Sequence, residues 1–381
     1  MKFLKDTLIK DQNILMRINF DVPLNSNGEV IDDNRIKAAI LSIKNIIGNG
    51  AQRLILLSHA GRPVIRSREK LEGIISGNPQ LVMKPMAKKL ANWLKINSDN
   101  LELVYLDGFE LPAYKISDKL FLMENLRFLE GEQKCDKDLA RRLSKLGNIF
   151  IYDDFATAHH ASCSVSEISK ILPSYAGLLV EKEIEQLTKL MLDPPKPFIM
   201  ILGGAKIQDK ILVLKNLIKK VDFFLLGGIM ANTFLASRNI DLAQSIVEKD
   251  RIDVADDLMH DFSKKIILPV DLVWERGKVL DIGKITVEQY SRYIEKAEMI
   301  FINGTMGLTS SGSDKFALGT HKILELVAKN KKAIKIISGG DTVAEVNKLK
   351  LADKFTFVST GGGATLEFLA GNKLPGLEAL E

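Results

Sequence analysis

Cysteine is scarce in this 381-residue sequence, occurring only as Cys135 and Cys163. Two cysteines build no disulfide framework, and these two have no metal-ligand spacing, so a reduced, cytoplasmic chain is expected. No uninterrupted apolar stretch approaches the ~18 residues of a membrane span. The longest uncharged run near the middle, residues 223–237, contains Gly227, Gly228, Asn232 and Thr233 and reads as a buried strand, turn and helix. The opening MKFLKDTLIKD has neither a continuous apolar region nor a small-residue cleavage site, so no secretory leader is expected. Long basic runs are also missing, although Lys+Arg 53 against Asp+Glu 48 leave a net charge of +5. The densest patch, residues 84–95, carries Met86, Leu90 and Trp93 at helical spacing, so its lysines read as the wet face of a helix. No nucleic-acid signature is present, and a mildly positive chain suits small anions. With 46% hydrophobic and 27% charged residues, the chain is neither disordered nor collagen-like.

What the sequence does contain is alternation. Short apolar runs at residues 14–20, 54–57, 101–106, 120–123 and 149–152 read as strands. Amphipathic stretches lie between several of them, such as residues 35–47 and 136–146. The second half repeats the logic with runs at 198–202, 223–226, 266–269, 299–302, 334–337 and 355–358, without any sequence period. Strands buried on both faces and separated by helices predict an α/β fold with two doubly wound, Rossmann-like parallel sheets. The segment Leu192-Asp193-Pro194-Pro195-Lys196-Pro197 cannot continue the helix suggested by residues 181–190, and a boundary between two lobes is expected there. The division reads as an N-terminal lobe at 1–180, a hinge helix and proline linker at 181–197, a C-terminal lobe at 198–365 and a tail at 366–381.

Four times the second half runs from a strand through glycines into a helix start: FIMILGGAKIQDK, FFLLGGIMANTFL, AIKIISGGDTVAEV and FTFVSTGGGATLEF. Glycine lets N–H groups approach a ligand closely, and each helix start offers unpaired amides and a partial positive charge. Four such turns at one sheet edge favour a phosphate-rich ligand over packing alone. Neither G-x-x-x-x-G-K-[ST] nor G-x-G-x-x-G is present, so phosphate is handled without the two commonest motifs. Lys206 and Lys210 stand four apart after Gly203-Gly204, as point charges for phosphate oxygens or as a solvated helix face. Asp341, directly after Gly339-Gly340, is either an N-cap or a ligand for Mg²⁺.

The first half instead places cations after its strands: Arg17 in MRINFDVP, Arg35 at a helix start, His59 and Arg62 in SHAGRP, Arg127 in MENLRF, and His159 and His160 after IFIYDDF. Ligands of open α/β sheets bind at strand C-termini, so this recurrence predicts an arginine-lined pocket for a small, multiply charged anion.

These residues make the chain similar to phosphoglycerate kinases along essentially its whole length, with a closer match to bacterial members. The blocks that carry the resemblance are RINFDVP, NRI, SHAGRP, ENLRF, DFATAH, LGGAKIQDK, GGIMANTF, LPVD, NGTMG, SGGDT and STGGGA. The resemblance implies two lobes joined by a hinge helix, with a tail that returns to the N-terminal lobe. It also implies phosphoryl transfer between 1,3-bisphosphoglycerate and ADP–Mg²⁺, a reversible step of glycolysis and gluconeogenesis that gives 3-phosphoglycerate and ATP. Asn19, Asp21, Arg35, His59, Arg62 and Arg127 would then face the acid, with Arg17 in support and His160 at the position of a family arginine. Lys206 and Lys210 would contact the transferring and nucleotide phosphates, with Arg35 and Lys206 as the catalytic cations. Gly203, Gly204, Gly227, Gly228, Gly304, Gly339, Gly340 and Thr342 would line the nucleotide site, Ser310 would stand near the ribose, and Asp341 would hold the metal. A closing motion about the helix and proline segment is implied, in a monomer without nucleic-acid or membrane partners.

Several positions depart from the family pattern. R-x-D-x-N-V-P appears as Arg17-Ile18-Asn19-Phe20-Asp21-Val22-Pro23, so amide and acid have exchanged places. D-A-F-G-T-A-H-R ends here in His160, which gives up a permanent guanidinium fork worth roughly 1.5–3 kcal/mol. N-G-P-x-G-x-F-E becomes residues 303–310 with Ser310 at the acidic position, unless a longer loop up to Phe316 displaces the acid. GGGM and GGGDT carry Ile229 and Ser338. These changes leave open an enzyme with a drifted acid substrate, or a non-catalytic nucleotide-binding protein of the same fold.

Overall fold

The computed structural model describes residues 1–65, 70–99, 101–205, 207–310 and 314–381. It divides into two units, Met1–Ile184 with Lys373–Glu381, and Glu185–Asn372.

The first unit contains strands β1 (Asn13–Arg17), β2 (Arg53–Leu57), β3 (Glu102–Val104), β4 (Ala113–Lys115), β5 (Leu120–Met123), β6 (Ile149–Tyr152) and β7 (Ser174–Ala176) in the order β3-β4-β5-β2-β1-β6-β7. The strands from β5 to β7 are parallel, and β1, β2, β5 and β6 are buried almost throughout, as their continuous apolar runs require. The sheet is not wholly parallel, because β3, β4 and β5 pair antiparallel. Four residues between β4 and β5 leave no room for a crossover, so the chain turns back on itself. The helix expected at residues 84–95 forms as Lys84–Leu94 and buries Met86 and Leu90. Trp93 departs from that apolar row. It is 41% exposed, and its indole N–H donates to Asp33 Oδ2 at 2.9 Å.

In the second unit, β8 (Phe198–Leu202), β9 (Phe223–Leu226), β10 (Ile266–Ile267), β13 (Met299–Asn303), β14 (Ile334–Ser338) and β15 (Phe357–Val358) form a parallel sheet ordered β10-β9-β8-β13-β14-β15. A separate antiparallel pair, β11 (Leu272–Glu275) and β12 (Lys278–Ile282), turns at Arg276-Gly277. In both sheets the chain moves outward from the first strand, then returns to its other side. The reversals fall between β1 and β6 and between β8 and β13, where open α/β sheets leave a crevice at the strand C-termini.

One helix, Leu178–Leu192, runs from the first unit into the second, and the division falls at Ile184/Glu185 within it, before the proline segment. Its start is held by Asp153, which follows β6: Oδ1 accepts from Leu179 N (2.9 Å) and Val180 N (3.1 Å). The tail joins the first unit from Lys373, where Gly376 N donates to Ala158 O at 2.9 Å. The preceding helix, Gly363–Leu369, stays with the second unit through Asn216 Nδ2 and Leu369 O (2.8 Å).

Complete burial raises the Asp153 carboxyl to about 6, outweighing the Ser42 hydroxyl and the two amides that favour its charged form. Because the folded chain holds this proton more tightly than the unfolded chain, Asp153 makes stability fall as pH rises from about 4 to about 6. Asp153→Asn is expected to remove roughly 2–3 kcal/mol of that dependence, measured by denaturant unfolding across the interval.

Candidate functional site

Strand register assembles the first unit's site. Arg17, the last residue of β1, pairs with Leu57 of β2 on one side and Tyr152 of β6 on the other. The residues that follow, Ser58-His59 and Asp153-Asp154, therefore flank it. Arg17 is 2% exposed, so its charge needs compensation where it stands. Nη2 lies 3.2 Å from Asp154 Oδ2 and 2.8 Å from His59 Nδ1, and Nη1 donates to the carbonyls of Ile18 and Leu57. Asp154 also accepts from Thr157 N (3.2 Å) and Thr157 Oγ1 (2.6 Å), and from Asn19 Nδ2 (3.2 Å).

That last contact explains the exchanged acid and amide. Asn19 Oδ1 accepts from Asp21 N (3.0 Å) and Arg35 Nη1 (3.4 Å), which turns the amide nitrogen toward Asp154. A carboxylate at position 19 would face another carboxylate, whereas the amide offers a donor. The acid at position 21 meets a donor instead: Asp21 Oδ1 accepts from Gly61 N at 2.8 Å, with His59 Nε2 3.9 Å from Oδ2. Arg35 also donates to the Asp21 carbonyl.

Arg127 sits on the short turn Leu126–Phe128, capped by Asn125, and donates to Gly61 O at 2.6 Å. Burial and the Arg17 charge lower its hold on its proton. Arg17, Arg62, Arg127 and His160 share one cavity of about 300 Å³ with Glu132, Gln133, Thr157, Ala161, Ser162 and Val165. Four of the expected acid-facing residues thus line one cavity, whereas Asn19, Asp21, Arg35 and His59 are not among its lining residues. His160 is exposed and stacks on His159 with ring centroids 3.8 Å apart. Glu132 is buried and spends its carboxylate on Ser162 Oγ (2.8 Å), Ser164 Oγ (2.6 Å) and Ser164 N (3.1 Å). Asp154 and Glu132 were not singled out from sequence. Asp154 carried a readable signal, its place after a strand, but a search for cations passes over an acid.

In the second unit, Leu202 pairs with Asn303 and Asn303 with Ser338, which sets the turns after β8, β13 and β14 side by side. They interlock. Gly203 N donates to Asn303 O (3.0 Å), Gly204 N to Thr305 O (2.7 Å), Gly227 N to Leu202 O (2.9 Å), Gly228 N to Met306 O (2.9 Å) and Gly304 N to Thr342 Oγ1 (2.8 Å). This differs from the expectation that every glycine turn offers free amides, because these five are used between loops. Glycine is required there by close approach: Gly304 has φ +92°, and a Cβ on it would overlap the Gly203 carbonyl. The helix Gly340–Lys348 differs. Its first intrahelical bond is Val343 N to Gly339 O (2.9 Å), so the amides of Gly340, Asp341 and Thr342 precede the ladder. Around Gly340 a Cβ would meet nothing within 4 Å.

Lys206 lies outside the described residues. Lys210 is 5% exposed, so the solvated-face reading fails for it, and its ammonium donates to the Ala205 carbonyl beside the Gly204 turn. Asp341 and Ser310 are exposed. Asp314, beyond the undescribed residues 311–313, pairs with Lys348. Among the described residues no cluster of three or more His, Cys, Asp or Glu side chains could hold a metal ion by itself. A single carboxylate still fits Mg²⁺, which keeps several waters and takes phosphate oxygens from a substrate.

A family model described as phosphoglycerate kinase matches residues 4–372. Phosphoglycerate kinase of Dictyoglomus turgidum is 38% identical over 99% of this chain and 98% of its own length. That of Prosthecochloris aestuarii is 39% identical over 100% and 99%. Among solved structures, phosphoglycerate kinase from Coxiella burnetii matches with a TM-score of 0.82 at 30% identity, covering 99% of this chain and 98% of that one. The enzyme from Pyrococcus horikoshii matches with a TM-score of 0.82 at 28% identity, covering 100% and 98%. Agreement of sequence and fold over the full length, on a chain whose strand ends carry these arginines and glycines, shows that it belongs to the phosphoglycerate kinase family.

Proposed function

We propose that the arginine-walled cavity of the first unit seats 3-phosphoglycerate, or the glycerate moiety of 1,3-bisphosphoglycerate, and that the glycine-lined strand ends of the second seat ADP or ATP. The family reaction is reversible phosphoryl transfer between 1,3-bisphosphoglycerate and ADP, which makes the chain a phosphotransferase with a carboxyl acceptor. Nothing in the comparisons supports a drifted substrate or loss of catalysis. The observation that carries the reading is the convergence of Arg17, Arg62, Arg127 and His160 on one cavity of about 300 Å³.

Phosphoryl transfer leaves little covalent work to side chains, so catalysis is positioning plus neutralisation of charge on the equatorial oxygens. The acceptor carboxylate is already ionised at neutral pH and needs no general base. Arg35, oriented by Asn19 and the Asp21 carbonyl, and Lys206 are the cations assigned to the transferring group. Lys210 and the first-turn amides from Gly340 to Thr342 are assigned to the nucleotide phosphates. Gly203, Gly204, Gly227, Gly228 and Gly304 shape that seat by allowing the loops to touch, rather than by giving their amides to the ligand. Ser310 or Asp314 is the candidate for the ribose. Asp341 would hold Mg²⁺, which when bound supplies positive charge against the phosphate oxygens.

Placing the two substrates on different units implies a closing motion that aligns them and keeps water from the acyl phosphate. The reading includes a cytoplasmic monomer without nucleic-acid or membrane partners. No helix among the described residues is long and apolar enough to cross a membrane.

A coupled assay with 3-phosphoglycerate and ATP–Mg²⁺ tests the whole reading: turnover is expected, and its complete absence overturns it. Arg35→Ala should lower kcat by about 10²-fold while nucleotide affinity holds, and an unchanged kcat removes Arg35 from the transferring group. His160→Arg should tighten 3-phosphoglycerate binding by roughly one to two decades in calorimetry. Small-angle scattering should show compaction only with both ligands present.

A further inference from the structure

The hydrogen bond between Arg17 and His59 fixes more than a distance. A guanidinium has five N–H donors and no acceptor, and it stays protonated in proteins. Where Arg17 Nη2 lies 2.8 Å from His59 Nδ1, that ring nitrogen must be the acceptor and carry no proton. The ring is 3% exposed. Nη2 also forms an ion pair with Asp154 Oδ2 at 3.2 Å, on a carboxylate that is itself fully buried.

We propose that Asp154, Arg17 and His59 form a positioning relay: Asp154 holds Arg17, and Arg17 locks His59 as the neutral Nε2–H tautomer, so that His59 presents one fixed, uncharged donor to the acid seat. Arg17, although it lines the cavity, is then a positioning residue: Asp154 compensates its charge, its Nη groups are engaged by Ile18 O, Leu57 O and His59 Nδ1, and its buried Nε–H has no hydrogen-bond partner. The surroundings agree. Burial and the charges of Arg17, Arg127 and Arg35 all disfavour an imidazolium at position 59. Asp21 lies 3.9 Å from Nε2 and is occupied on its other oxygen by Gly61 N. His59 thus donates without titrating near neutral pH, and the relay has no need of a metal or a second protonation state.

The proposal takes from the assigned function only that the acid is seated within reach of His59 Nε2, beside the cavity that Arg17 lines, and its test does not require substrate. In ligand-free protein carrying ¹⁵N-histidine, one of five such residues, two-bond ¹H–¹⁵N spectra should show His59 with a bare Nδ1 and a protonated Nε2, unchanged from pH 8 to pH 6 (about the usual histidine range). A proton on Nδ1, or titration within that range, overturns the relay even if the enzyme turns over normally. Removing Arg17 alone would strand a buried carboxylate, so the variant is Arg17→Met combined with Asp154→Asn. In it His59 should populate both tautomers or begin to titrate. The KM for 3-phosphoglycerate should rise at least tenfold and become pH-dependent, with a smaller effect on kcat. A His59 signal identical to wild type in that folded variant shows that Arg17 does not set the tautomer. Inactivity of the wild type with the tautomer intact would instead count against the functional assignment.

Discussion

Burying a guanidinium at the end of a central parallel strand constrains everything around it. Arg17 is 2% exposed, and its charge cannot be left uncompensated there without a penalty of several kcal/mol. Asp154 supplies the compensation, and the consequences spread from there. The amide at Asn19 suits Asp154 because its nitrogen donates, and its oxygen is then free to receive Arg35 and the Asp21 amide. The acid of the exchanged pair settles at Asp21, where a backbone N–H meets it. What reads in the sequence as a transposition of two letters is one rearrangement of donors and acceptors around a fixed charge.

The second unit meets a different demand with the same architecture. Parallel strands in register bring their following turns together at one edge, and glycine is the residue that lets backbone touch backbone there. The first unit places side-chain cations at the equivalent edge, and the second places peptide groups. In the proposed reading the first arrangement serves a small acid needing several point charges and the second a nucleotide needing an extended contour.

The fold was largely legible because its central strands are continuous apolar runs bounded by turn residues. Residues 120–123, 149–152, 198–202 and 223–226 are strands with those same bounds. The short elements were not. β4 and β7 have three residues each, too few to establish a period, and β11 and β12 are half-exposed and tolerate mixed sequence. Trp93 at helical spacing resembled core, but an indole has a polar end that Asp33 satisfies at the surface. In the site, the cations were found because they recur at strand ends, and Asp154 was missed because its work is to neutralise one of them. Whether a glycine amide faces a ligand or a neighbouring loop depends on tertiary register, which no local pattern contains.

The amides donated from one turn to the next around β8, β9, β13 and β14 make that rim a cross-linked ring of backbone rather than a set of independent loops. Little chain disorder remains to be frozen when a molecule settles against it, so recognition there draws on shape already in place. Changes at separate turns will also fail to add, since loosening one releases the partners of the others.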